Sequence, residues 1–111
     1  MKPNENLKPY FTLHLWTEKH PYEFVRTRGS KFAVIREMNV VKHPDWKPEI
    51  IPGGFVGHCT NQDQQKWLYE SDPDGYEIEV RWSQPKQAWY DKNGARYTNE
   101  SEPEYYYDYN F

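Results

Sequence analysis

Cysteine occurs once in the 111 residues, at Cys59. An internal disulfide is therefore excluded, and the usage fits a reducing cytoplasm. Excess positive charge is missing too: 14 Lys and Arg stand against 17 Asp and Glu, for a net charge of −3. That balance offers no basic field for duplex nucleic acid and gives no reason to expect a membrane surface. No apolar run approaches the ~20 residues that span a bilayer. The opening, MKPNENLKPYF, lacks the apolar stretch of a signal peptide. A cytoplasmic protein is the expectation. Helical periodicity is absent beyond short stretches, and so are internal repeats. There is no Walker pattern and no G-x-G-x-x-G fingerprint. His58 adjoins the single cysteine, but His14, His20 and His43 are scattered, without the spacing of a zinc site. Neither a metal nor a cofactor is expected.

Rings are what the chain has in abundance. Five Trp, ten Tyr and five Phe make it 18% aromatic, against 36% hydrophobic overall. A core must lean on these rings, each Tyr and Trp also needing a polar partner. They argue against disorder despite a mean hydropathy of −1.16. The length suits one domain. Residues 1–9 read as a short flexible lead and 10–111 as a single β domain.

Period-two alternation marks the strands. In YFTLHLW, Phe11, Leu13 and Leu15 share a face. YEFVRTR and KFAVIREMNVV flank Gly29-Ser30 and read as a hairpin. The second run has apolar residues on both faces, which predicts cover on both sides. QQKWLYE is a further strand, and SDPDG a turn in which Gly75 supplies positive φ. In YEIEVRW, Tyr76, Ile78, Val80 and Trp82 oppose Glu77, Glu79 and Arg81. Asn93-Gly94 in QAWYDKNGARYTN is a strong hairpin signal. The ending EPEYYYDYNF alternates Tyr105, Tyr107, Tyr109 and Phe111 with polar residues, and reads either as a strand closing the fold or as an acidic docking strand. Short strands, tight turns and one long Gly/Pro-rich loop predict an all-β fold, either a small SH3-like barrel or a compact sandwich.

That loop runs from His43 to about Gln62 and holds PGGFVGHCTNQ, with three of the chain's six glycines. Gly53, Gly54 and Gly57 either free backbone N–H groups to line an anion pocket or let the backbone cross the sheet closely. Phe55 would anchor the loop. Cys59 has no evident base beside it, since adjacent side chains on extended chain point apart, so a buried structural role is expected. His58 suits a hydrogen bond across the loop.

Arg26, Arg28, Lys31 and Arg36 form a basic group at the first hairpin, within possible reach of Trp16, Tyr22 and Trp46. Cations beside flat rings suit nucleotides, because rings stack on bases and arginine forks phosphates. The competing view is a solvated face with Arg36 paired to a carboxylate. The expected ligand site is Arg26, Arg36, Trp46, Gly53, Gly54, Phe55, Gly57 and His58, with no catalytic residue. Glu77 and Glu79 are given no chemistry.

GGFVGHCTNQ, followed by QQKWLYESDPDG and the terminal YYYDYNF, resembles a family of small proteins carried by phages, plasmids and integrated elements of bacteria. Its members share a strand pair like YEFVRTRGSKFAVIRE, a GGF-x-GH loop, a DP-[DN]-G turn and a YYDYNF-like ending. The likeness spans most of residues 10–111, and this chain departs from the pattern between Arg81 and Thr98, where its hairpin is shorter. The resemblance brings no activity with it. It implies a mobile-element origin, action in the host cytoplasm and, by association, a counter-defence role. The expected function is a binding module that captures a small nucleotide-like anion or blocks a host protein. A structural docking protein of a phage particle and a small hydrolase are the alternatives.

Overall fold

A computed structural model describes residues 7–51, 58–59 and 61–108. In chain order the strands are β1 (Tyr10–His14), β2 (Lys19–Arg28), β3 (Phe32–Glu37), β4 (Asn39–Lys42), β5 (Ile50–Ile51), β6 (His58–Cys59), β7 (Trp67–Glu70), β8 (Glu77–Ser83), β9 (Ala88–Tyr90) and β10 (Arg96–Glu100). One short 3₁₀ turn, Gln62–Gln64, precedes β7. Six strands close an antiparallel barrel in the order β1-β10-β9-β8-β3-β2. The fold is therefore all-β and, of the two architectures expected, the small barrel. No helix among the described residues is long and apolar enough to cross a membrane.

The barrel interior is built from rings and β-branched side chains. Phe11, Tyr22, Ala33, Ile35, Val80, Trp89 and Tyr97 form one buried cluster. Trp89 meets Phe11 edge-on at 5.6 Å and Trp82 at 5.5 Å, and Tyr22 meets Tyr97 at 5.5 Å. Such tilted pairs set the ring quadrupoles edge to face. Tyr97 brings a hydroxyl into this interior and donates it to Asp91 Oδ2 at 3.0 Å. Burial, with that neighbouring carboxylate, raises the Tyr97 phenol well above its ordinary range. Val34 is buried on the opposite face of β3, so this strand is covered on both sides as its pattern predicted.

Both hairpin signals were sound. Gly29 (φ +65°) turns β2 into β3, and Gly94 (φ +86°) sits in the β9–β10 turn, where Asp91 Oδ1 accepts the N–H groups of Asn93 and Ala95. Gly75 matters for a different reason than the one expected. Its φ is not in the left-handed region. A Cβ there would stand 2.4 Å from the carbonyl oxygen of Glu37. The turn crosses β3 at backbone contact, and glycine alone allows it.

Beyond Glu37 the β3–β8 pair opens around this turn and continues as a two-stranded ribbon, β4 with β7. β5 and β6 form a second small ribbon inside the 43–62 segment, Ile50 opposite Cys59 and Ile51 opposite His58. The segment is thus partly ordered β-structure. Its organiser is Asn61, which is buried. Asn61 accepts from Glu49 N (2.8 Å), donates to the Lys47 carbonyl (2.8 Å), and its own carbonyl accepts from Trp46 Nε1.

Near both ends of the chain the described residues contact the barrel. Residues 7–9 are tied to the barrel: Lys8 exchanges hydrogen bonds with the Asn99 side chain, and the Pro9 carbonyl accepts from Phe24 N. At the other end the barrel is closed by β10 against β1, with Phe11 opposite Asn99 and Leu13 opposite Tyr97. The aromatic ending is not the closing strand. Pro103 interrupts the ladder, since it has no N–H to give. Past it the described residues make one β-bridge, Lys19 with Tyr106. Tyr105 packs on Trp67 (4.6 Å) and His20 (5.2 Å), and Lys19 pairs with Glu104 at 2.7 Å. The ending straps the β4–β7 ribbon to the barrel. Tyr109 and Phe111 lie outside the described residues.

Candidate functional site

Of the expected site residues whose side chains are described, Arg26, Arg36 and Trp46, none lines either of the two pockets found among the described residues. Arg36 is held by Glu23, its Nε 2.9 Å from Oε1, with the two side chains only 23% and 15% exposed; Ser71 also donates to Glu23. Arg26 pairs with Glu77 at 3.3 Å, and Arg28 forks onto Glu79. Arg28 holds the Glu79 carboxyl below its ordinary range through these hydrogen bonds. Trp46 is 5% exposed and packs on Trp67 of the ribbon at 5.8 Å, so its ring is not open for stacking. Cys59 is buried beside Asn61, as a structural cysteine would be. Gly53, Gly54, Phe55 and Gly57 lie outside the described residues. His58 is placed only through the pairing of its backbone with Ile51.

A bulge explains the fate of the basic group. Pairing between β2 and β3 slips between Phe24 and Arg26. Strict alternation would turn Arg26 and Arg28 to the same side as Phe24, which packs on the core. The extra residue reverses the parity. Both arginines then emerge on the outer face, one strand away from Glu77 and Glu79 of β8. The two carboxylates set aside as commonplace are the partners of the two arginines.

The unbalanced charge lies farther around the barrel. An open groove of about 900 Å³ runs over β8 from Phe32 to the turn after β9. Four cations border it: Lys31, Arg81, Lys86 and Lys92. All four are exposed, and none has a carboxylate partner among the described residues. The carboxylates nearby are already engaged: Glu77 and Glu79 by Arg26 and Arg28, Asp91 by the turn and the Tyr97 hydroxyl. Rings lie among the cations. The Arg81 guanidinium stands 5.9 Å from the Phe32 ring centre and Lys86 Nζ 5.0 Å from that of Tyr90. Tyr76, 68% exposed, borders the same groove. Trp82 forms part of its floor, its Nε1 held by Gln84 at 2.8 Å.

The groove is thus locally positive on a chain of net charge −3. It presents flat apolar surface and mobile donors, the combination that suits an anion carrying a ring. Among the described residues no group of three or more His, Cys, Asp or Glu is placed to hold a metal ion. A smaller pocket of about 350 Å³ lies between barrel and ribbon, lined by His20, Tyr22, Met38, Trp67 and Tyr105. It belongs to the strap. Comparison of the chain with family models, with curated proteins and with solved structures finds no match in any of the three.

Sequence reasoning looked for cations beside rings on the β2–β3 hairpin, whereas the cations without a carboxylate partner border β8 and β9. Lys31 was the one groove cation it included. Arg81, Lys86 and Lys92 alternate along the β8–β9 hairpin with Trp82 and Tyr90, and that interleaving of cations and rings was the available signal.

Proposed function

We propose that the protein is a binding module that captures a small nucleotide-like anion in the β8–β9 groove. The observation that carries this is the set of four cations, without a carboxylate partner among the described residues, set among exposed and half-buried rings. In this reading Lys86 and Lys92 take the phosphate, and Tyr76 and Tyr90 offer ring faces to the base. The resemblance to mobile-element proteins supports a counter-defence use in the host cytoplasm: sequestering a nucleotide signal.

A test is calorimetric titration with the nucleoside monophosphates. Wild type should bind, with affinity falling as salt rises. Lys86→Glu with Lys92→Glu should lower affinity at least tenfold, whereas Arg26→Ala should leave it within twofold. Absence of binding by wild type, or equal affinity in the double variant, overturns the reading.

A second reading, blocking of a host protein, is favoured by one feature. Trp16 is 94% exposed at the β1–β2 tip, beside half-exposed Leu15, on a turn closed by Leu15 N to the Glu18 carbonyl at 2.9 Å. Exposed tryptophans on rigid tips anchor protein interfaces. A host protein captured by wild type and lost with Trp16→Ala would support it.

A further inference from the structure

β8 carries backbone groups in the groove that no strand among the described residues covers. β3 pairs along it from Glu77 to Arg81, but β9 is short and pairs only with Arg81, Trp82 and Ser83. Two bonds fix which way each residue faces. Trp82 N donates to the Lys31 carbonyl at 2.8 Å, and the Tyr76 carbonyl accepts from Glu37 N at 3.1 Å. Residues 76 and 82 therefore direct their backbone groups to β3. Alternation makes 78 and 80 do the same, and Glu77, Glu79 and Arg81 face the other way. Arg81 meets Tyr90 of β9. Among the described residues, the N–H and C=O groups of Glu77 and Glu79 meet no strand. The chain leaves β9 at Tyr90 and enters the Asp91–Ala95 turn on the far side of the groove.

We infer that these four backbone groups read the edge of a nucleobase in the groove. This rests on the nucleotide reading above and adds the means of recognition. Along the edge the order is N–H and C=O of Glu77, then N–H and C=O of Glu79. The Glu77 carbonyl and the Glu79 N–H are neighbours, an acceptor beside a donor. Bases present a matching donor beside an acceptor on their Watson–Crick edges. The uncovered window is two residues long, roughly 7 Å of strand. A peptide strand adds along a longer edge, and here β9 blocks one end and the Gly75 turn the other. A base fits that window, with Tyr76 and Tyr90 beside it and Lys86 and Lys92 left for phosphate. The Glu77 and Glu79 side chains leave to the outer face, where Arg26 and Arg28 hold them. Recognition is by backbone, so side-chain exchange at 77 or 79 would leave it intact.

The experiment compares AMP, ribose 5-phosphate and a single-stranded adenine hexanucleotide on the full chain. AMP should bind at least tenfold more tightly than ribose 5-phosphate. Glu79→Pro deletes one groove-facing N–H without touching the β3 ladder; it should lose at least tenfold in AMP affinity, and Glu79→Gln should match wild type. On wild type, amide resonances of Glu77 and Glu79 should shift at saturation while those of Ile78 and Val80 stay within the general background. That measurement stands if the proline variant fails to fold. A hexanucleotide binding tenfold more tightly than AMP would assign the base to a strand, and equal affinity to a free nucleotide. Ribose 5-phosphate binding as well as AMP, or unmoved Glu77 and Glu79 amides, overturns the base edge and leaves a simple anion site. Binding of none of the three removes the groove reading itself.

Discussion

The two sides of β8 carry the same kinds of residue and put them to different use. Toward β2 and β3, every described arginine has a carboxylate: Arg26 with Glu77, Arg28 with Glu79, Arg36 with Glu23. Toward β9, Lys31, Arg81, Lys86 and Lys92 border the groove with no carboxylate partner among the described residues, Arg81 beside the Phe32 ring and Lys86 beside that of Tyr90. The first arrangement spends its charge inside the protein, and the second leaves it for something else. The difference teaches that a cluster of cations in sequence says little about a ligand until the acids of neighbouring strands have been placed.

The comparison can be broken most violently at its shared hinge. Gly75→Val drives a side chain into the Glu37 carbonyl, and should destabilise the fold by on the order of 3 kcal/mol or more, read as a shift in the denaturation midpoint; both faces of β8 would suffer together. Next, Arg36→Met should cost about 1.5–3 kcal/mol, the range for a hydrogen bond to a charged partner, with nucleotide affinity unchanged. Lys92→Ala is the mirror image: stability within about 0.5 kcal/mol of wild type, but weaker nucleotide binding by titration. If Arg36→Met and Lys92→Ala had the same pattern of effects, the distinction between the two faces would collapse.

The smallest effect concerns His14, outside both faces. Burial, then the nearby Arg96 and Lys19, lowers its pKa below the usual 6.5. Folding therefore favours the neutral ring, bonded to Thr98 Oγ1 at 2.8 Å. Its contribution is present above pH 6.5 and declines as pH falls through the lowered folded value. Chemical denaturation between pH 7 and 5 should show wild type losing slightly more stability than His14→Gln.

Much of the barrel was legible in the sequence. Alternation in YEIEVRW placed Val80 in the core, and Gly29 and Asn93-Gly94 turned where their backbone chemistry requires. The site was not. One inserted residue near Val25 reverses which face Arg26 occupies, and a bulge has no pattern of its own in a single sequence. Pairing across strands also decides which acid meets which base, and Arg28 and Glu79 are 51 residues apart. The tail misled because an alternating aromatic run fits a strap as well as a strand. Asn61 was passed over in a segment read as irregular, although a buried amide is what satisfies irregular backbone.

Barrel closure by β10 against β1 also sets a schedule. Tyr10 meets Glu100, so the seam joins residues separated by nearly the whole domain. A chain emerging from the ribosome can form the β2–β3 hairpin early, but β1 waits for its second neighbour until the last strand is made. Seams of such long sequence separation form slowly. Until then the outer edge of β1 is a bare template for other chains. A gene cut short before Arg96 would leave that edge permanently open, and its product would be expected to accumulate as aggregate.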